Sequence, residues 1–339
     1  IVDGVFAGLG AVLVFLPQIL ILFLFILALE ESGYLPRAAF LLDRMMLAAG
    51  LTGRSFIPLL SSFACAIPGI MATRSIQDPR DRMTTILVAP LMTCSARLPV
   101  YTLLIAAFIP SRTIAGVFNL QGIVLFTLYV AGIVSALAVA WVAKKLNKDK
   151  SEHALLMELP SYRMPHPRDI AIGLWERAMI FLKRVGGIIL ALTVLLWFLS
   201  SFPVPPPGAT EPAIEYSLAG RLGHLLHYVF APLGFNWQIS IALVPGLAAR
   251  EVAVSSLATV YALSGNEAGL PDIVAAHWSL GTALALLVWY VYAPMCISTL
   301  ATIRRETNSW RQVWITAGYL FGLAYVASLL TYQIARALA

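Results

Sequence analysis

At 339 residues, 60% hydrophobic and only 12% charged, the chain is far more apolar than an ordinary soluble domain, and long runs contain no Asp, Glu, Lys or Arg. That composition excludes a soluble enzyme and a disordered chain and fits a polytopic membrane protein. The net charge of +6 does not mark nucleic-acid binding, because Lys and Arg gather in short loops beside apolar runs, as the positive-inside rule expects.

The chain opens on Ile1 inside an apolar region, without an initiator Met or a charged leader, which predicts a piece of a longer chain and no signal peptide. A bilayer-crossing helix needs roughly 20 apolar residues, and residues 5–29 supply the first. An amphipathic stretch, 34–46, follows. Glu30, Glu31 and Asp43 border it, either as solvated helix-end charges or as the acids of an exit vestibule. Residues 51–73 are apolar but broken at Pro68-Gly69, just after Cys65. Residues 83–109 form the next span and carry Pro90, Cys94, Arg97 and Pro99, and 117–143 form another.

Residues 144–184 hold nine Lys and Arg, which predicts a cytoplasmic connection. A span at 185–201 and a proline-rich loop at 202–207 come next. A short outer-face helix at 216–230 carries His224 and His227 at i,i+3 spacing, a pattern more common on a plain amphipathic face than at a metal-capturing mouth. Residues 237–263 are broken at Pro245-Gly246 and carry Arg250-Glu251. Spans at 279–303, with Pro294 and Cys296, and at 313–334 complete the chain. Asn147-Lys148-Asp149-Lys150 superficially resembles a guanine-reading motif, but its second acid is misplaced and it reads as a solvated charge run.

Keeping every basic loop on the inner face forces 51–73 and 237–263 to enter and leave the membrane on one side each, as re-entrant hairpins. The expected fold is therefore all-α, with two units of span, hairpin, span, span in opposite orientation: residues 1–145, a basic linker at 146–176, and residues 177–339. Pro68-Gly69 against Pro245-Gly246, and Ala89-Pro90 against Ala293-Pro294, are its sequence echoes. Transporters of this kind bind substrate near the midplane, where broken helices expose backbone. Irregular backbone is tolerated at that depth only when buried in protein or lining a cavity.

A proline inside a helix lacks an N–H and clashes with the carbonyl four residues back. Pro90, Pro99 and Pro294 would thus free the carbonyls of Ile86, Ser95 and Tyr290, as ligands, hinges or ordinary kinks. Cys65, Cys94 and Cys296 fall beside the breaks. An odd number of thiols in apolar segments is no disulfide framework. Sulfur with the oxygens of Thr93, Ser95, Ser298 and Thr299 suits a transition metal better than Mg or Ca, although a lone membrane Cys is usually a small apolar filler. Arg97, Arg250 and Glu251 are charges at membrane depth and should face the interior. Glu251 is there either a transient cation ligand or an arginine's partner.

Several stretches, taken in order, resemble the membrane domain of FeoB-type ferrous iron transporters. They are GAVLVFLPQ at 10–18, ESGY at 31–34 with RAAF at 37–40, CAIPGIMATR at 65–74 and DPRDR at 78–82. CSARLPVY at 94–101, ELP at 158–160, REV at 250–252 and RRET at 304–307 complete the set. The resemblance runs from near Gly8 to near Ala335. It implies Fe2+ uptake across a bacterial inner membrane through two Gate modules, with the family's intramembrane cysteines carried here by Cys65, Cys94 and Cys296; beside them the residues themselves offer Glu251 as a candidate metal ligand and Arg97, Arg250, Glu31, Pro68, Pro90 and Pro294 as interior charges and hinges. It also implies an N-terminal GTPase domain binding GTP and Mg2+, a small cytoplasmic accessory protein and room for a homo-oligomer. No G-x-x-x-x-G-K-[ST] loop occurs within this chain, so GTP hydrolysis is expected elsewhere. Ala66 stands where many relatives have Asn, which removes one amide oxygen from the expected ligand set. The same hairpin plan also resembles nucleoside transporters, and a non-transporting membrane scaffold is a third reading.

Overall fold

The computed structural model describes residues 7–114, 118–146, 162–183, 216–248 and 277–338, with scattered residues between 187 and 275 that include Arg250, Ala253, Val254 and Leu257. Glu251, the core of the basic linker and most of 185–201 and 249–273 lie outside the described residues. The helices are α1 (Ala7–Glu31), α2 (Tyr34–Ala48), α3 (Phe56–Ala64), α4 (Ala66–Ala72), α5 (Pro79–Val88), α6 (Leu98–Phe108), α7 (Leu120–Leu146) and α8 (Pro167–Phe181). After these come α9 (Leu218–Phe230), α10 (Trp237–Ala248), α11 (Leu280–Tyr292), α12 (Ile297–Thr307) and α13 (Trp310–Leu338). Between α6 and α7, Thr113–Ile114 and Phe118–Asn119 pair as a two-residue antiparallel ladder.

Among the described residues three helical stretches are long and apolar enough to cross a membrane: Pro79–Phe108, Leu120–Lys145 and Trp310–Leu338. The first is not a continuous rod. After α5 the chain tightens into a 3-10 turn, Ala89–Leu91, runs extended through Met92 and Cys94, and turns again at Ser95–Arg97 before α6. Likewise the expected span at 279–303 is two helices, α11 and α12, parted by Ala293–Cys296.

The prolines act differently from the expectation. Pro68 does not break its segment, because it is the third residue of α4, where the N–H has no helical partner to lose. The break lies at Cys65, whose extended backbone separates α3 from α4. Pro245 likewise stays within α10. Pro99 is the second residue of α6 and helps begin that helix, while Pro294 lies between helices. Neither is positioned to strip a helical bond from Ser95 or Tyr290.

Residues 51–73, the expected first hairpin, hold two short helices, α3 and α4. Helices of 9 and 7 residues reach only about 14 and 10 Å, well short of a ~30 Å hydrocarbon core. They fold back on each other so tightly that a Cβ on Gly69 would lie 2.0 Å from Ser62 Oγ and 2.8 Å from the Pro58 carbonyl. Capping fixes where the neighbouring helices start. Asp78 Oδ1 accepts from Arg80 N at 2.7 Å ahead of α5, and Ser279 Oγ accepts from Thr282 N at 3.1 Å ahead of α11.

Two buried clusters hold the elements together. One joins α6, α10, α11 and α13 through Tyr101, Leu104, Ile239, Leu286, Trp289 and Ala324. The other joins the first hairpin, α5, α7 and α13 through Leu59, Ile70, Ile86, Ala136, Ala140 and Leu320. Helix α7 meets the first interruption at Gly132, where a Cβ would come within 3.0 Å of Thr93 Oγ1 and 3.1 Å of the Leu91 carbonyl. Phe126 and Val134 of α7, and Trp314 and Leu330 of α13, remain exposed, as a lipid-facing surface requires.

Basic side chains expected on the inner face do converge. Arg163 Nε donates to the Glu31 carbonyl, Arg177 pairs with Glu30 at 3.4 Å, and the Arg37 guanidinium lies 3.8 Å from the Tyr162 ring centroid. Gly53 N donates to Asp43 Oδ1 at 2.7 Å, and Gly50 abuts Lys144. Glu306, its side chain 4% exposed, forms a fork with Arg74 (2.6 and 2.8 Å) and also takes Arg82 at 3.1 Å. The carboxylate, first by hydrogen bonding and then by its charge, pushes the Arg74 guanidinium above its ordinary range.

Candidate functional site

Interrupting a helix at membrane depth strands main-chain carbonyls, and each stranded group costs several kcal/mol unless something donates to it. Arginine is suited to this task because its guanidinium carries five N–H donors in a rigid plane. Both interruptions receive one. Arg97, 0% exposed, turns back on its own segment: Nη2 donates to the Pro90 carbonyl at 3.1 Å, and Nη1 to those of Met92 at 3.2 Å and Leu91 at 3.4 Å. The same Nη1 lies 3.4 Å from Thr93 Oγ1.

Arg250, 5% exposed, reaches from the second broken segment to the other interruption. Its Nε donates to the Met295 carbonyl at 3.0 Å and its Nη2 to that of Ala293 at 3.4 Å. Its Nη1 donates to Cys94 Sγ at 3.4 Å. One guanidinium thus spans both interruptions, since Cys94 belongs to the first and Met295 to the second.

Cys65 joins the same neighbourhood through its flanking residue: Ser95 Oγ, next to Cys94, donates to the Ala64 carbonyl at 3.2 Å. Cys296 directly follows Met295 and starts α12, where its carbonyl accepts from Thr299 N at 3.1 Å. All three cysteines are half-buried, and none is in a disulfide. Arg250 therefore bridges the breaks that bear Cys94 and Cys296, and Ser95 ties the first of these to the break that bears Cys65. Among the described residues, however, no three His, Cys, Asp or Glu side chains come close enough to enclose a metal ion.

The remaining expected residues separate. Pro90 and Pro294 lie in the interruptions themselves and Pro68 one turn from the hairpin tip, whereas Glu31 sits at the end of α1 on the basic face. One oxygen of Glu31, Oε2, is buried with no hydrogen-bond partner among the described residues. His224 stacks on Trp237, ring centroids 5.2 Å apart, which makes it a packing residue of α9 and α10. Glu251 lies outside the described residues.

Two participants, Ser135 and Tyr319, had no motif to announce them, and a third, Glu306, was marked only as part of the RRET stretch. Ser135 Oγ of α7 is 2.9 Å from Tyr292 Oη, at the last residue before the second interruption. Tyr319 Oη of α13 donates to the Leu87 carbonyl just ahead of the first. Glu306 ties the first hairpin and α5 to α12.

Comparison with known proteins places these features in context. The family model described as "Nucleoside recognition", Gate, matches residues 12–108 and 182–310, and that described as "Ferrous iron transport protein B C terminus" matches residues 125–177. Proteins named Fe(2+) transporter FeoB are similar throughout: that of Leptospira interrogans is 42% identical over 98% of this chain and 50% of its own length. The Leptospira biflexa protein is 42% identical over 100% and 51%, and the Staphylococcus aureus protein 40% identical over 98% and 48%. The chain thus spans about half the length of the curated relatives it matches. No solved structure matches it.

Proposed function

The chain belongs to the Gate family and corresponds to the C-terminal membrane part of FeoB-type proteins, and from that premise we propose that it is the permease through which ferrous iron crosses the bacterial inner membrane. Relatives bearing the name Fe(2+) transporter support the substrate. The observation that carries the reading is the linking of the three thiol-bearing breaks, those of Cys94 and Cys296 through Arg250 and that of Cys65 through Ser95. Sulfur with main-chain oxygen is a donor set for a borderline divalent ion.

In this reading the two halves are inverted repeats, each with a hairpin followed by an interrupted helix. Fe2+ comes from the outer face, sheds water, meets the thiols with Glu251 nearby, and leaves toward Glu31. GTP and Mg2+ act in a domain elsewhere in the full protein, with an accessory protein and self-association as further partners, and the permease itself performs no chemistry. The test is Fe2+ uptake into proteoliposomes by the complete protein, with Mn2+ and Zn2+ as competitors. The Cys94→Ser, Cys296→Ser double variant should fold and lose uptake; full uptake in that variant would refute the thiol site.

The description of the Gate model as nucleoside recognition favours a second reading, in which the cargo is an organic solute. Sugar and base recognition needs amides or acids, and among the described residues the interruptions present arginine, thiol and hydroxyl groups instead. Labelled nucleoside flux in the same vesicles separates the two.

A further inference from the structure

We infer that Arg250 is the resting occupant of the cation position: its guanidinium holds the sulfur and carbonyl donors a metal would take, and an ion loads only when Arg250 withdraws. The inference rests on the reading of Cys94 as a ferrous iron donor. Three acceptors from two different segments, Cys94 Sγ, Met295 O and Ala293 O, converge on one charged group, the Ala293 carbonyl also accepting from Met295 N at 2.8 Å. The two stranded carbonyls alone would account for a guanidinium here, as they do at Arg97, but the soft sulfur brought in from the other segment is a donor that arginine does not need, since it pairs best with the forked oxygens of a carboxylate. Sulfur with the two carbonyls is a fitting set for a divalent ion.

The two occupants exclude one another. A metal bonded to Cys94 sulfur sits roughly 2.3 Å from it, as judged from zinc–thiolate bonds. A guanidinium donating to that sulfur would then place like charges side by side in a buried site. When the ion binds, the Cys94 thiol proton passes to water, and the metal takes the sulfur together with the carbonyls that Arg250 releases. The displaced arginine carries its segment with it. Gly246 of α10 packs directly on Met295 and Tyr290, where a Cβ would come within 2.9 Å of Met295 Cε and 3.3 Å of Tyr290 Oη. Occupancy of the site and position of the second broken segment are thereby linked. Arg97 plays no such part, because its four contacts all lie within residues 90–93 of its own segment.

Co2+ serves as the probe, because its bonds to thiolate give a sulfur-to-metal charge-transfer absorption. Titrating full-length protein in nanodiscs, Arg250→Gln should develop that band at about tenfold lower Co2+ than wild type, the factor expected if the guanidinium fills the position roughly nine-tenths of the time. Arg250→Lys, which keeps a cation there, should stay within about twofold of wild type and covers the case in which the glutamine variant does not fold. Cys94→Ser should remove the band or shift it to higher Co2+. A band at equal or higher Co2+ in Arg250→Gln, or tightening in Arg250→Lys as large as expected for glutamine, overturns the inference while leaving the thiol site intact. A band indifferent to Cys94→Ser in every background overturns the ferrous reading of Cys94, and the inference with it.

Discussion

Replacing Glu306 by Gln removes the one carboxylate that holds Arg74 and Arg82 to α12. Glu306 is 4% exposed, whereas the Arg74 and Arg82 side chains are 61% and 33% exposed. A hydrogen bond to a charged group is worth about 1.5–3 kcal/mol, and an exposed ion pair only about 0.2–1 kcal/mol. The arginines can hydrate once released and the glutamine amide still fits the space, so the expected cost of Glu306→Gln is about 1–2 kcal/mol. Arg74→Gln leaves Arg82 in place and should cost about 0.5 kcal/mol. The assay is chemical denaturation of the protein in mixed micelles at two salt concentrations. The Arg74 contribution should shrink in high salt as the screening length falls below about 10 Å, while the Glu306 cost persists. An Arg74→Gln cost equal to or above that of Glu306→Gln would refute the reasoning, because it would place the energy in the solvated arm of the fork and not in the buried carboxylate.

Gly69→Ala should destabilise by about 1–3 kcal/mol, because its Cβ would overlap Ser62 Oγ and the Pro58 carbonyl. Adding Ser62→Ala should recover only part of this, since the carbonyl stays, and denaturation of the pair measures the difference. Ser135→Ala and Tyr292→Phe should each cost about 0.5–1.5 kcal/mol, and the double variant little more than either single one, if their 2.9 Å contact is the shared interaction. Asp78→Ala should cost about 1 kcal/mol through the lost cap of α5, with Asp78→Ser close to wild type in thermal unfolding.

Much of the plan was legible in the sequence because membranes restrict the options. Apolar runs fixed α1, α7 and α13, and within 51–73, where the placing of basic loops pointed to a hairpin, the packing of Gly69 on Ser62 and Pro58 shows two short helices folded back on each other. The sites of the breaks were misjudged for a physical reason. Pro68 and Pro99 were read as helix breakers, yet a proline in a first turn has no bond to lose, and nothing local marks where a first turn will fall. The arginines were foreseen as interior charges. Their work on the carbonyls of residues 90–92, 293 and 295 was not, because those bonds join residues whose spacing carries no periodic signal. Partners far apart in sequence, such as Ser135 with Tyr292 or Glu306 with Arg74, leave no trace in a single chain.

Helix α7 carries Gly132, Ser135, Ala136 and Ala140 along one side, and that side lies against both interruptions: Leu91 and Thr93 through Gly132, Tyr292 through Ser135. Small side chains let backbones slide past each other with little resistance. A single rod bearing on two joints makes them mechanically dependent, as two hinges on one pin are. Enlarging Gly132 would press on the first joint and enlarging Ser135 on the second, while bulk added on the opposite, lipid-facing side would leave both free to turn.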